Sequence, residues 1–567
     1  MEPMSDGGPI NPPGETPDVG VPPHLAPRLT VPEQHDWVTR FLRERPVSRR
    51  SALKLAAGAL TAVGAGAVLA EWGGAAIGSS PAPFVGRRVS FGNDPRTTMA
   101  LAVELTQPPR GPLLLDLGVD AGYGHTLPVE IRHLVSAVPQ RDGSIRAAEQ
   151  WFVHALAEGL EPGRAYHYRF RIPGRGVTAN AVFRTAPAGR APFRFTAFGD
   201  QGVAEENGAP HWFSNRYKNS DTRRAANPAL ALTRLVAGYQ PAFHLLAGDM
   251  CYAGADGHPV RNSAPRNPPS GFDNFDPTIW TRYFATIDRS AASTPWMFAT
   301  GNHDVEALYD DNTAGGATHG YGGHAARLDL PSNGPRGCPS VYSFRYANVG
   351  FVSLDTNDLT HESRPTTGYS RGAQVAWLRG TLYQLRSDPQ IDFIVAFFHH
   401  CAYATAVGHG SDDGVRSQVA PLFDEFSVDL AVQAHNHCWE RTNPIRGGRF
   451  TVAAPNGSTV RPVTDGTTYI CAGSGGRGRS PWPSGVTDRY PGPGGGGGTA
   501  VNTVLRRIGG SVPESVEWSQ ARYDNYAMLV VDVAPGAPGR DATMTVRTVS
   551  DRNELLDTVT LLRPTST

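Results

Sequence analysis

Apolar residues in this chain gather into short unbroken runs. Five of them stop directly before an Asp, Asn or His: Phe195-Thr-Ala-Phe-Gly-Asp200, Phe243-His-Leu-Leu-Ala-Gly-Asp249, Trp296-Met-Phe-Ala-Thr-Gly-Asn302-His303-Asp304, Ile394-Val-Ala-Phe-Phe-His399-His400 and Leu430-Ala-Val-Gln-Ala-His435-Asn436-His437. Each run has the length and apolar density of a strand buried on both faces. A strand that ends there and then offers Asp, Asn or His sets that side chain at the carboxyl edge of a sheet, where open α/β sheets build their sites. Helical spacing falls between the runs, at Asn227–Val236, Ala373–Leu385 and Val419–Phe426. Val341–Tyr346 with Gly350–Leu354 reads as a hairpin, and Asn525–Val533, Thr543–Val549 and Leu555–Leu562 read as closing strands. Strands alternating with helices predict a layered α/β domain over residues 192–567. Ala253–Pro277, Leu308–Ser340 and Gly473–Trp518 read as long loops, which serve as site walls or are disordered.

Upstream, over residues 83–188, the pattern changes to alternation with turn signals, as in Leu113–Leu117, Arg146–Ala155 and Tyr166–Ile172. Tyr166 and Tyr168 fall on one face of their strand. This stretch resembles a fibronectin type III-like β-sandwich. It carries no metal-ligand cluster and reads as a scaffold or a wall of the site. Residues 1–47 are rich in Pro, Gly and polar positions and read as a disordered tail.

Composition narrows the function. Fifty-two basic residues balance 52 acidic ones, with no basic stripe or acidic tail, so nucleic acid is not an expected partner. Five cysteines are too few and too scattered for a disulfide framework. Cys251, Cys401 and Cys438 adjoin the runs described above and read as small buried fillers, with a Cys401–Cys438 bridge as the alternative. Ser48-Arg49-Arg50-Ser51-Ala52-Leu53-Lys54 and the mild apolar run Leu55–Ala70 resemble a twin-arginine export signal over residues 48–76. Cleavage is expected after Ala70 or Ala76. The run is too short and too rich in Gly and Ala for a stable membrane span. The resemblance implies an exported, secreted or cell-surface protein whose partner in transit is the export machinery.

Gly199-Asp200-Gln201-Gly202, Gly248-Asp249-Met250-Cys251-Tyr252, Gly301-Asn302-His303-Asp304, His399 and His435-Asn436-His437 resemble, in order, the motifs of calcineurin-like metallophosphoesterases. Gln201-Gly202 after the first Asp, and Tyr252 three residues beyond Asp249, are similar to the purple acid phosphatase branch. The resemblance spans roughly residues 84–533 and includes Trp439-Glu440-Arg441-Thr442. It implies a four-layer αββα metallophosphoesterase sandwich after the β-sandwich domain. It also implies two metal ions about 3.5 Å apart that clamp a phosphate and hold a nucleophilic hydroxide. Asp249 would bridge both ions. Asp200, Tyr252 and His437 would complete the set of an Fe(III) ion, which hard anionic donors favour. Asn302, His399 and His435 would hold a divalent ion, Zn, Mn or Fe. His303 would protonate the leaving oxygen or brace the transition state, with Asp304 orienting it. His409 lies in the loop where the family places further phosphate-facing histidines, and Tyr403 falls at that loop's tyrosine.

His399 is preferred over His400 because it directly ends its strand. Ala434 stands where the family has Gly, a change that tightens the turn before His435. Arg327 with Pro331, and Arg371, lie in segments similar to pocket-lining ones, although surface ion pairs suit both arginines better; Arg441 reads as a structural ion pair beneath the histidines. The implied activity is hydrolysis of a small phosphate monoester by a metal-bound hydroxide. The alternatives are a phosphodiesterase or phospholipase D-like hydrolase on the same site, a dimanganese or dizinc diesterase without iron, and a non-catalytic binding protein.

Overall fold

The computed structural model describes residues 83–139, 145–203, 227–253, 277–305, 321–362, 366–491, 497–537 and 539–565. The expected tail at 1–47 and the export segment at 48–76 lie outside the described residues, as do most of the 253–277 loop and part of 308–340.

Two seven-stranded sheets build the domain that carries the five runs. The first runs in the order Trp296–Ala299, Phe243–Ala247, Phe193–Phe198, Ala527–Ala534, Asp541–Ser550, Leu555–Pro564, Ser458–Val460. Its first three strands are parallel, and the closing strands add antiparallel to them. The second sheet runs Tyr342–Tyr346, Val349–Ser353, Phe393–Phe397, Leu430–Gln433, Thr468–Ala472, Trp439–Thr442, Ser519–Tyr523. Its four central parallel strands begin at Val349, Phe393, Leu430 and Thr468.

Alternation along each strand sends side chains to opposite faces. Phe195, Phe243, Phe344 and Phe351 point between the sheets and pack together, with Phe195 stacked on Phe243 at 5.5 Å and Phe351 edge-on to Phe243 at 5.0 Å. Burying each such ring contributes about 1.5–3 kcal/mol. Phe198 and Leu246 point outward, against Leu232 and Val236 of helix Pro228–Tyr239 and Trp280 and Phe284 of helix Thr278–Ala291. On the other side, Val352, Ile394 and Ala396 meet Leu378 and Leu382 of helix Ala373–Ser387 and Val415 and Val419 of helix Asp413–Phe426. The layer order is therefore helices, sheet, sheet, helices. Both faces of every central strand are covered, which is why the five runs are almost continuously apolar.

Several elements were not expected, among them a helix and a hairpin. Helix Thr278–Ala291 follows directly on a long loop, and its buried positions 279, 280, 283, 284 and 287 carry the helical period. The antiparallel hairpin Val501–Arg507 and Gly510–Val516 occupies part of the stretch read as one loop, 473–518. Its exposed positions include Gly510, Ser511 and Pro513, which hide the strand pattern. Among the described residues no helix is long and apolar enough to cross a membrane.

Residues 84–184 form two antiparallel sheets, one of Phe84–Phe91, Met99–Leu105, Ile145–Ala157 and Glu130–Pro139, the other of His125–Leu127, Leu114–Gly118, Ala165–Ile172, Gly176–Val177 and Ala181–Arg184. Tyr166 and Tyr168 both point inward. Phe91 of this unit reaches the inter-sheet core, 5.7 Å from Phe243. Phe243 begins its strand and Asp249 lies six residues on, about 20 Å away along an extended chain. This contact therefore braces the sheets at the end opposite the donor edge. Arg87 pairs with Asp288 at 2.8 Å and tethers the unit to helix Thr278–Ala291.

Candidate metal centre

Seven parallel strands, three in one sheet and four in the other, end at one edge, and loops after five of them bring the donor side chains together. Asp200 follows Phe193–Phe198, Asp249 follows Phe243–Ala247, Asn302 follows Trp296–Ala299, His399 follows Phe393–Phe397, and His435 and His437 follow Leu430–Gln433.

The donors form two groups. In the first, Asp200, Asp249 and His437 each offer a ligand atom within 4.8 Å of the others. The Tyr252 hydroxyl joins them, donating to Asp200 Oδ1 at 2.7 Å and lying 3.0 Å from His437 Nε2. In the second, Asp249, His399 and His435 converge in the same way. Asn302 Oδ1 adds a fourth atom, 3.0 Å from His399 Nε2. Asp249 belongs to both groups. Asp200, Asp249, Tyr252 and His435 all have positive φ, between 52° and 68°. Non-glycine residues take that conformation at a cost, and such strain gathers at functional sites.

His399 shows what the second group is built for. Its Nδ1 donates to the Ala247 carbonyl at 3.0 Å, which leaves the Nε2 lone pair facing inward in the neutral ring. Around that nitrogen lie Asn302 Oδ1 at 3.0 Å, His435 Nδ1 at 3.1 Å and Asp249 Oδ2 at 3.3 Å. Asp249 Oδ2 is buried without a hydrogen bond of its own. Electron-pair donors aimed at one another, inside a protein, are what a cation would reconcile. The residues present fit a binuclear metal site. In the metal-free protein the charge shows itself as trapped protons. Burial opposes protonation of His399, but Asp249 and Asp200 outweigh it and push its pKa up to about 10. Burial and His409 drive His435 down to about 3 against the pull of Glu362, so His435 stays a neutral imidazole, the ligating form. Burial and the charges of Asp200 and Asp249 hold the Tyr252 phenol well above its ordinary range.

The surrounding backbone is packed against the donors. A Cβ on Gly301 would stand 2.1 Å from Asp249 Oδ1, so no other residue fits between Asn302 and that carboxylate. Ala434 keeps its place because Gly199 faces it: a Cβ on Gly199 would lie 2.5 Å from the Ala434 methyl. The Gly expected at 434 is thus compensated across the sheets, and His435 still reaches His399. Asp304, expected to orient His303, holds the Asp249 turn. Its carboxylate accepts the N–H groups of Asp249 at 2.8 Å, Met250 at 2.9 Å and Gly301 at 2.8 Å. The His303 N–H donates to Asp249 Oδ1 at 2.9 Å, and its half-buried ring lies 4.6 Å from the Tyr252 ring.

The remaining sequence candidates fall variously. His409 lies beside the second group, its ring 3.9 Å from that of His435. His400 is buried outside the donor set, 3.0 Å from Thr356 Oγ1 through Nδ1. Tyr403 is in the outer core against Tyr469 and Trp518, away from the donors. Arg327 is not on the surface: it is fully buried, 4.6 Å over Trp280 and bonded to Gln150 at 3.1 Å. Pro331 is buried, and Arg371 is exposed before helix Ala373–Ser387. Arg441 forms a buried ion pair with Asp557. Cys401 and Cys438 are free thiols and form no bridge; Cys401 Sγ donates to the Ala434 carbonyl at 2.8 Å.

Two residues at the centre were missed in the sequence. The Arg477 guanidinium lies 4.3 Å over the Tyr252 ring, and its backbone N–H donates to the Asp200 carbonyl at 2.9 Å. A sixth apolar run, Thr468–Ala472 ending at Gly473, leads to it and was the available clue. Glu362 accepts hydrogen bonds from both His409 and His435 and stands in a segment without a motif.

Known proteins resemble this chain in sequence and fold. Residues 193–439 match the family model of the calcineurin-like phosphoesterases. "Uncharacterized protein Rv2577" of Mycobacterium tuberculosis is 30% identical over 534 residues, covering 87% of this chain and 90% of that protein. The chain belongs to the calcineurin-like phosphoesterase family. "Probable inactive purple acid phosphatase 1" of Arabidopsis thaliana is 24% identical over 347 residues, 58% of this chain and 49% of that one. The purple acid phosphatase PPD1 structure from yellow lupin (Lupinus luteus) seeds superposes with a TM-score of 0.58 at 16% identity, covering 85% of this chain and 75% of that one. That likeness establishes a shared mixed α/β fold. Within that family the chain is similar in fold to a purple acid phosphatase, and its donor set is suited to two metals.

Proposed function

We propose that this chain is an exported binuclear-metal phosphatase that hydrolyses small phosphate monoesters. The observation that carries the reading is the crowd of unprotonated donors around His399 Nε2, joined through Asp249 to an anionic group of Asp200, Tyr252 and His437. Asp200, Tyr252, His437 and Asp249 would hold Fe(III), and Asn302, His399 and His435, again with Asp249, a divalent ion. When bound, such a pair supplies a nucleophile from water in mild acid and neutralises the transferring phosphoryl group.

The chain's own residues supply the rest. The His303 amide is pinned to Asp249 Oδ1, which holds the imidazole at the rim of the donor cluster, where it delivers a proton to the leaving oxygen. Arg477, over the Tyr252 ring, adds positive charge beside the anionic group. The exported location rests on Ser48–Lys54, and the fibronectin type III-like character of residues 83–188 on their two antiparallel sheets.

Metal analysis with parallel rates on a chromogenic phosphate monoester and a chromogenic diester tests the reading. Two ions per chain and faster monoester hydrolysis are expected, with a visible absorption band that Tyr252→Phe removes. Faster diester hydrolysis would move the assignment to a phosphodiesterase. A colourless, fully loaded protein would remove the iron. A loaded protein inert on both esters would overturn catalysis and favour a binding role.

A further inference from the structure

Glu362 lies in the loop region after strand Val349–Ser353 and is half-buried. Its two carboxylate oxygens are used separately. Oε1 takes His409 Nδ1 at 2.9 Å, and Oε2 takes His435 Nε2 at 3.0 Å. A carboxylate only accepts, so each ring nitrogen facing it carries its proton there. With that proton on Nε2, the ligating form of His435 offers Nδ1, and Nδ1 is the atom that lies 3.1 Å from His399 Nε2 within the donor cluster. For His409 it fixes the ring, whose centroid lies 3.9 Å from that of His435 at a tilt of 48°. A third partner closes the arrangement: Arg506 Nε lies 3.2 Å from Glu362 Oε2, while Arg506 Nη2 donates to the Gly408 carbonyl at 2.8 Å. The residue before His409 is thereby tied to the same carboxylate.

We propose that Glu362 is a positioning residue that orients two imidazoles at once, His435 towards the second metal ion and His409 towards the substrate. The inference rests on the binuclear reading above. A metal-bound histidine commonly gives its outer N–H to a carboxylate, which fixes the ring and raises its basicity; loss of that partner costs about 10–100-fold in metal affinity or activity. Here one carboxylate serves a ligand and a neighbouring ring together, so its removal disturbs metal retention and substrate handling in the same variant. Glu362, His409 and His435 also stand close enough to hold an ion of their own. The guanidinium of Arg506 already supplies the positive charge at that carboxylate, which favours the hydrogen-bonded reading.

The experiment compares the full chain with Glu362→Gln and His409→Ala, using graded chelator, metal content per chain and steady-state rates. Glu362→Gln keeps the side-chain shape but cannot accept from both rings. It is expected to release the second ion at about 10–100-fold lower chelator concentration, to retain the first ion, and to show both a lower kcat and a higher KM. His409→Ala is expected to keep both ions at wild-type affinity while KM or kcat changes. Thermal unfolding of the metal-free proteins separates a fold defect from a positioning defect, and the expected midpoints agree. Wild-type metal affinity and kinetics in Glu362→Gln would overturn the proposal. So would three ions in wild type and two in Glu362→Gln, which would make the cluster a cation site. A wild type that binds no metal would instead overturn the binuclear reading on which the proposal stands.

Discussion

The junction between the N-terminal sheets and the α/β layers, which is half-buried, and the centre at the sheet edge, which is buried, are both polar, yet they are wired in opposite ways. At the junction, donors meet acceptors and cations meet anions. Arg87 pairs with Asp288, and Asp329 takes Arg132 on one oxygen and His154 on the other. At the centre, bases meet bases: an amide oxygen, a carboxylate oxygen and an imidazole nitrogen surround His399 Nε2. A polar cluster that serves folding alone has every reason to be complementary, because an unanswered buried group is costly. A cluster of bases that must trap a proton on His399 where a cation would sit marks a site selected for something other than stability.

The contrast can be broken or sharpened by substitution. The largest effect is expected at the centre. His399→Gln conserves volume and removes one base from the crowd. Phosphatase activity should fall by more than about 100-fold, while the metal-free protein still folds, as read by its circular dichroism. A large loss of metal-free stability would mean that the donors hold the fold together.

Next comes a paired buried charge. Asp557 answers Arg441, and the two side chains are 2% and 1% exposed. Asp557→Ala leaves the guanidinium buried and uncompensated, at an expected cost of about 3–5 kcal/mol in urea unfolding. The metal content of the protein that remains folded should be unchanged.

The smallest effect is a pH dependence at the junction. Burial raises the Asp329 carboxyl, but His154 and Arg132 outweigh it and bring its pKa down to about 2. A folded pKa below the unfolded one gives stability that is full above about pH 4 and lost as pH falls through about 2. The stability gap between wild type and Asp329→Asn should therefore be present above about pH 4 and close as pH falls through about 2. A gap that persists undiminished below about pH 2 would contradict the pairing.

Much of the layered domain was legible because its physics is local. Strands buried on both faces must be apolar throughout, and a strand end must present whatever side chain follows, so the runs before Asp200, Asp249, Asn302, His399 and His435 announced both sheet and edge. Helix Thr278–Ala291 carried the right period but began where a long loop ended. The strand Gly510–Val516 was hidden because it is mostly exposed and includes Pro513. Glu362 was invisible for a different reason: it acts on His435 from 73 positions away, and nothing in its own neighbourhood of sequence signals that reach. Arg327 was misjudged because an arginine is usually at the surface, whereas here Trp280 and Gln150 receive it inside. Residues that touch a site through folding alone leave little trace in a linear pattern, whereas residues that end a strand do.

The central claim is tested most directly by counting metal ions per chain in the purified wild-type protein and in Asp249→Asn. Asp249 is the member common to both donor groups. Two ions in wild type, and loss of both from a correctly folded Asp249→Asn after dialysis against a mild chelator, is the predicted result. A folded wild type that takes up no ion, or an Asp249→Asn protein that retains two, would contradict it.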